Sequence, residues 1–374
     1  MRNWRAKSAA IAAVSALALV TACSSDNEDD NGNGNGGSGG DGGTSEESSL
    51  SGTISGAGAS SQEAAQAAWQ AGFNELHPDV TVNYDPSGSG AGREQFTAGG
   101  TVFGGTDAYL SEEEGELAAA QEICGEVIEI PVYVSPVAVI FNVEGVDSLN
   151  MSPQTIAGIF NQEITNWNDE AIAADNPDAE LPDLAITPVN RSDDSGTTEN
   201  FAEYLSVTAP DAWPHEVSDV WPVSGGEAAQ GTSGVVQAVS GGQGTIGYAD
   251  ASQAGDLGTV AVGVGEEFVP YSPEAAAAVL EVSERVEGRG EYDFAYDLAR
   301  DTTEGGAYPI VLVSYAMACA TYDDENTAEL VREYLGYMIS AEGQEAAAGA
   351  AGSAPLSDAL RTEFQAAVDA ISAG

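Results

Sequence analysis

Short runs of β-branched and aromatic residues alternate along this chain with stretches whose apolar positions recur every three or four residues. Thr53-Ile54 begins a strand that leads into Gly56-Ala57-Gly58-Ala59-Ser60-Ser61. Ala65, Ala68, Trp69, Gly72, Phe73 and Leu76 then share one helical face. Val80-Thr81-Val82-Asn83-Tyr84 has the period of two that a half-buried strand requires. After the turn residues Ser87 to Gly92, a short helix is predicted from Arg93 to Ala98. Val127 to Val143 reads as strand broken at Pro131 and Pro136. Ile186 to Val189, Thr245 to Tyr248 and Ile310 to Tyr315 read as buried strands. Helices are predicted over Pro153–Phe160, Thr197–Leu205, Thr327–Ile339 and Asp358–Ile371. Strands alternating with helices predict an α/β fold. Gly242 to Gly247 has the glycine spacing of a dinucleotide loop but runs into a strand, not a helix, so no cofactor is expected.

The first 49 residues follow a different pattern. Arg2, Arg5 and Lys7 precede an apolar stretch, Ala9 to Val20, too short for a comfortable membrane span. It ends in Val20-Thr21-Ala22-Cys23, which resembles a bacterial lipobox and implies lipidation of Cys23. A plain secretory signal with a chance cysteine is the competing reading. Residues 1–23 are thus an export signal, and residues 24–49 an acidic, Gly-rich tether without aromatic or branched aliphatic residues. Such a coil reaches roughly 25–30 Å. About 325 residues remain from Leu50 onward, more than one core usually supports, so two lobes are expected.

Charge narrows the function. Ten Lys+Arg stand against 60 Asp+Glu, a formal net charge of -50, and beyond Cys23 the only cationic side chains are seven arginines. Nothing here neutralises a phosphate backbone, which excludes nucleic acid as a partner. The acidity resists association, so a monomer is expected, and it suits a salty medium. The two histidines, His77 and His215, lie far apart at proline-marked bends and are expected at the surface. No cluster has metal-ligand spacing, so no metal is expected. Cys124 and Cys319 remain as an isolated pair, which outside the cytoplasm is more often bridged than free.

Four segments share one design, rich in glycine and hydroxyl residues: Gly56–Ser61, Ser87–Gly92, Phe103-Gly104-Gly105-Thr106-Asp107, and Arg191-Ser192-Asp193-Asp194-Ser195-Gly196-Thr197-Thr198. Three lead directly into predicted helices, whose unpaired N–H groups and dipoles accept anions. Each alone is more often an ordinary cap than a site. Arg191 among aspartates is a structural salt bridge, an anion fork, or both.

Together these segments resemble the phosphate-binding protein of the Pst-type ABC transporter, in that family's order and spacing. Ile159-Phe160-Asn161-Gln162-Glu163-Ile164-Thr165-Asn166-Trp167-Asn168-Asp169 and Gly244-Thr245-Ile246-Gly247-Tyr248 extend the likeness, which runs from Ser51 to about Ser357. The resemblance implies a two-lobed periplasmic-binding-protein fold of type II with ligand in the interlobe cleft. Residues 50–132 and 310–374 would form lobe I and residues 133–309 lobe II. It implies phosphate contacts from Ser60, the backbone of Ser61, Ser89, Asp107, Arg191, Ser195, Gly196 and Thr197. It also implies a lipid-anchored protein on the outer face of the cytoplasmic membrane that serves ABC permease subunits. Two departures stand out. The family usually has Thr-Phe-Pro where this chain has Ser60-Ser61-Gln62, and Ala-Pro where it has Ala108-Tyr109.

On this reading Asp107 is informative, because a carboxylate facing an anion tolerates only a ligand that brings a proton. Phosphate does so at neutral pH and sulfate does not. Asp193 is expected to orient Arg191 from behind. An enzyme is disfavoured, since neither Ser89 nor Ser195 sits in a Gly-X-Ser-X-Gly elbow. A carrier of another oxyanion, or a signalling or adhesive lipoprotein of the same fold, are the other readings.

Overall fold

The computed structural model describes residues 50–374, so the export signal, Cys23 and the tether lie outside the described residues. The chain opens with β1 (Gly52–Gly58), α1 (Glu63–Leu76), β2 (Val80–Asp85), α2 (Ser89–Thr97), β3 (Phe103–Thr106) and α3 (Glu116–Cys124). The long strand β4 (Val127–Asn142) follows, then β5 (Ser148–Met151), α4 (Pro153–Phe160) and α5 (Glu170–Asp175). Next come β6 (Thr187–Arg191), α6 (Gly196–Thr208), β7 (Glu227–Ala229), α7 (Gly231–Gly241) and β8 (Thr245–Asp250). After β9 (Gly258–Val264), β10 (Glu267–Val269) and α8 (Pro273–Glu281), a small ribbon pairs β11 (Glu284–Arg285) with β12 (Tyr296–Asp297). The chain closes with β13 (Val311–Cys319), β14 (Thr321–Tyr322), α9 (Glu325–Ile339), α10 (Ala341–Ala351), α11 (Asp358–Asp369) and β15 (Ser372–Ala373).

The main sheet runs β2-β1-β3-β13-β4-β8-β6-β7. Its flanks are parallel, β2 with β1 with β3 on one side and β8 with β6 with β7 on the other. Its middle is antiparallel: β13 pairs with β3 and with Val127–Pro136 of β4, while Val137–Asn142 of β4 pairs with β8. One strand therefore hands the sheet from one half to the other. This is the two-lobed α/β architecture expected from the sequence.

Pro131 and Pro136 do not break β4, contrary to expectation. Pro131 sits beside the register shift between Ser314 and Tyr315, and Pro136 at the changeover from β13 to β8. A proline lacks the N–H for a regular ladder and is tolerated at irregularities of this kind. β4 is also inside on both faces, with 15 of its 16 residues buried, which suits a strand covered by helices.

Helix starts follow simple capping chemistry. Ser152, Ser195, Ser272, Asp324 and Ser357 each accept a hydrogen bond from the backbone N–H three residues on. The predicted stripe of α1 packs Phe73 against Tyr334 of α9. Cys124 at the end of α3 and Cys319 at the end of β13 are joined by a disulfide. His77 and His215 are half-buried, not fully at the surface: His77 stacks on Phe73, and His215 Nε2 lies 2.9 Å from Asn161 Oδ1.

Candidate functional site

Within each half of the sheet, parallel strands place their following loops at one edge, and the carboxyl ends of β1 and β3 in one half and of β6 in the other carry segments singled out in the sequence. Gly58, the last residue of β1, has φ of 145°, and a Cβ there would come within 1.8 Å of the Gly105 carbonyl oxygen. Only glycine lets β1 and β3 approach so closely. Ala59 N–H then donates to that carbonyl at 2.9 Å, and Ser60–Gln62 form a 3-10 turn into α1. The third of those segments is mostly strand: Phe103–Thr106 is β3, and Asp107 follows it directly.

Asp107 is buried and surrounded by donors. Its Oδ1 accepts from Ser61 Oγ and from Ser314 Oγ, both at 2.6 Å, and its Oδ2 accepts from Thr197 Oγ1 at 3.0 Å. Its backbone N–H donates to Ser89 Oγ, at the first residue of α2, at 3.1 Å. Burial pushes the Asp107 carboxyl up from its ordinary value, while hydrogen bonds from Ser314, Ser61 and Thr197 and the charge of Arg191 pull the other way. A Cβ on Gly88 would lie 2.6 Å from Asp193 Oδ2, so the Arg191–Asp193 pair abuts the turn that enters α2.

Arg191 ends β6 and is likewise buried. Its Nε donates to Asp193 Oδ1 at 2.8 Å, and its Nη2 donates to Asp193 Oδ2. Asp193 Oδ1 also accepts from Gly231 N–H at 3.0 Å, at the start of α7. Burial raises the Asp193 carboxyl, but the Arg191 hydrogen bonds and charge outweigh it and hold the group below its ordinary range. The two groups meet fork on fork, which fixes the guanidinium plane.

The two halves of the sheet meet at this point. A Cβ on Gly196 would lie 2.7 Å from Ser89 Oγ and 2.8 Å from Asp107 Cβ, so the amino ends of α2 and α6 face each other across a gap only glycine fits. Asn200 Nδ2 donates to the Asp107 carbonyl oxygen at 2.7 Å, and Gly90 N–H to the Asp194 carbonyl oxygen at 3.1 Å. Arg93 of α2 forms a buried ion pair with Asp219 at 2.8 Å. Beside Asp107 opens a cavity of about 400 Å³, with Glu199, Glu203, Arg289 and Arg300 in its wall. Burial pushes Glu199 up to about 7 there.

Of the residues proposed from sequence, the structure brings Ser61, Ser89, Asp107, Gly196 and Thr197 into direct contact, with Arg191 and Asp193 alongside. Ser61 engages Asp107 through its hydroxyl, where a backbone contact to ligand was expected. Ser60 Oγ lies 3.1 Å from Thr232 Oγ1 and accepts from Thr232 N–H at 3.2 Å. Ser195 Oγ accepts from Thr198 N–H at 3.2 Å as the cap of α6. Sequence reasoning missed Gln62, Asn200, Thr232 and Ser314. Ser314 sits within an apolar strand run with no glycine or helix start beside it, so no local signal marks it.

Comparison with known proteins gives a consistent picture. Residues 43–342 match the family model described as a PBP superfamily domain. The chain is 34% identical over 328 residues to phosphate-binding protein PstS 3 of Mycobacterium leprae, covering 85% of this chain and 87% of that one. It is 34% identical over 330 residues to PstS 3 of Mycobacterium tuberculosis, with 85% and 86% covered. A high-affinity periplasmic phosphate-binding protein solved with phosphate superposes with a TM-score of 0.68 at 23% identity, covering 84% of this chain and 93% of that chain. A putative phosphate ABC transporter substrate-binding protein from Clostridium perfringens, solved with bound phosphate, gives 0.58 at 21%, covering 80% and 98%. With a fold shared by the last two and sequence shared along most of its length with the first two, this chain belongs to the family of phosphate ABC-transporter substrate-binding proteins.

Proposed function

We propose that this chain captures inorganic phosphate between its two lobes and delivers it to the permease subunits of an ABC importer. The observation that carries the proposal is Asp107: a buried carboxylate ringed by hydroxyl donors from both halves of the sheet. Phosphate takes donors from the ends of α2 and α6, from the hydroxyls of Ser60, Ser89 and Ser195, from the N–H groups of Ser61, Gly196 and Thr197, and from the Arg191 guanidinium. One phosphate O–H donates to Asp107. Sulfate has no such hydrogen at neutral pH and leaves a buried acceptor unpaired beside a like charge, at a cost of several kcal/mol.

Holding Arg191 against Asp193 limits the cationic charge that reaches the anion. Neutral dipoles and hydroxyls then bear most of the binding. The role is binding rather than catalysis: no imidazole activates the Ser195 hydroxyl among the described residues, since His77 and His215 are engaged with Phe73 and Asn161 elsewhere. The lobe limits we assign are residues 50–132 with 310–374, and residues 133–309. The changeover of β4 at Pro136–Val137 and the Val137 N–H to Ile310 carbonyl bond of 2.7 Å lie close to both limits. A lipid on Cys23 and the tether 24–49 would hold a monomer at the outer face of the cytoplasmic membrane. Calorimetric titration of the purified protein with phosphate tests the reading. One site per chain is expected, and absence of binding at millimolar phosphate would refute it.

A further inference from the structure

Asp107 Oδ1 is the end of a chain of hydrogen bonds through buried side chains. Tyr334 O–H donates to Gln66 Oε1 at 2.8 Å, and Gln66 Nε2 donates to Gln62 Oε1 at 2.8 Å. Gln62 Nε2 donates to Ser314 Oγ at 2.7 Å and also to the Tyr315 carbonyl oxygen at 3.2 Å. A carbonyl only accepts, so Tyr315 sets which end of the Gln62 amide faces Ser314. With an N–H pointing at its oxygen, Ser314 turns its own hydrogen to the nearer and charged of two acceptors, Asp107 Oδ1 at 2.6 Å rather than the Thr106 carbonyl oxygen at 3.3 Å. Ser61 supplies a second hydrogen to the same oxygen, also at 2.6 Å. Both lie in the short range of hydroxyl-to-carboxylate bonds. Gln62, Gln66, Ser314 and Tyr334 are all buried, so water does not compete.

We propose that Gln62 and Ser314 are specificity-determining positioning residues, which saturate Asp107 Oδ1 with hydrogen donors and leave Oδ2 as the oxygen that accepts the ligand's proton. This rests on the phosphate reading above. Two donors occupy Oδ1, so it has no lone pair for a proton of its own. Oδ2 has one partner, Thr197 Oγ1 at 3.0 Å across the gap between the halves, and keeps a free acceptor position.

Other groups surround the carboxylate. The charge of Arg191, backed by Asp193, acts on it from β6, Tyr84 of β2 donates to the nearby Ala59 carbonyl oxygen, and Glu199, Glu203, Arg289 and Arg300 stand with Tyr109 and Tyr315 around the adjoining cavity. Among the described residues, Oδ1 takes hydrogen bonds from Ser61 and Ser314 alone. Removing either link favours the neutral acid, which presents a donor where the ligand also presents one.

Calorimetry of phosphate binding between about pH 5 and pH 8 on the wild type, Ser314→Ala and Gln62→Met is the test, scored as the variant-to-wild-type affinity ratio, in which titration of the ligand and of Glu199 cancels. A loss of about tenfold near the acid end, shrinking as pH rises, is expected for Ser314→Ala. Gln62→Met should follow it with a smaller loss. In parallel, the carbon-13 shift of the Asp107 carboxyl is titrated without phosphate, and its midpoint should rise in both variants. A ratio flat with pH and an unmoved midpoint, in variants that melt like the wild type, would overturn the proposal. A wild type that binds no phosphate while the midpoint still rises would instead overturn the phosphate reading and leave the relay standing.

Discussion

Thr197 and Asp107 meet across the molecule: the threonine hydroxyl at the amino end of α6 donates to Oδ2 of the aspartate that follows β3, at 3.0 Å. Ninety positions apart in sequence, they bring the two halves of the sheet within one hydrogen bond of each other. The contact depends on the absence of a side chain at Gly196.

Gly196→Ala tests that dependence. Its methyl group would press on Ser89 Oγ at 2.7 Å and Asp107 Cβ at 2.8 Å, both held by their own bonds. The halves should then fail to close, with phosphate affinity falling about 100-fold and stability by about 1–3 kcal/mol at most. Scattering with and without phosphate reads closure directly. Compaction equal to that of the wild type would contradict the expectation.

Arg191→Ala removes the fork and strands Asp193 as a half-buried carboxylate. A charge-assisted hydrogen bond contributes about 1.5–3 kcal/mol, so affinity should fall roughly 10- to 100-fold. Arg191→Lys should not restore it fully, since an ammonium cannot pair bidentately with Asp193 and reach the ligand together. Calorimetry on both variants checks this.

Much of the fold and site could be read from the sequence because both were written locally. Glycine and serine before a helix mark Ser89 and Gly196, and apolar alternation or stripes mark β2, α1 and α9. Helices α3, α7 and α10 were missed because alanine, glycine and glutamine give them no broad apolar stripe; α8, alanine-rich behind Ser272 and Pro273, went the same way. The prolines of β4 misled, since their tolerance depends on a bulge and on a partner change set by strands far away in sequence. Ser314 and Gln62 were missed for the same reason: their value lies in meeting each other over 252 positions.

Glu129 offers a pH test away from the crevice. Buried beside Asp293, it is pushed up to about 8, against the pull of Arg289 Nη2 at 2.8 Å. An acid whose folded value exceeds its unfolded value is protonated preferentially in the folded state. Its stabilising contribution is therefore full below about pH 4.5 and is lost as pH rises towards 8. Glu129→Gln imitates the protonated acid, so its melting temperature should gain on the wild type as pH rises through that window. Glu345→Gln, on the exposed face of α10, controls for charge alone and should show a smaller gain.

The Cys124–Cys319 bridge closes a loop of 195 positions. Replacing both cysteines by serine should cost about 2–4 kcal/mol in urea denaturation. Phosphate affinity should stay within about twofold, because Cys319 lies about 17 Å along β13 from Ser314. A large loss of affinity would show that the bridge also shapes the crevice.

The most direct test of the whole account is the ratio of phosphate to sulfate affinity, by calorimetry at one pH, in the wild type and in Asp107→Asn. In the wild type, sulfate should bind at least about 1,000-fold more weakly than phosphate, the equivalent of roughly 4 kcal/mol. In Asp107→Asn, phosphate should weaken by about tenfold or less and the ratio should shrink by at least as much again, because the amide donates to either anion. An unchanged ratio would mean that Asp107 does not read the ligand's proton.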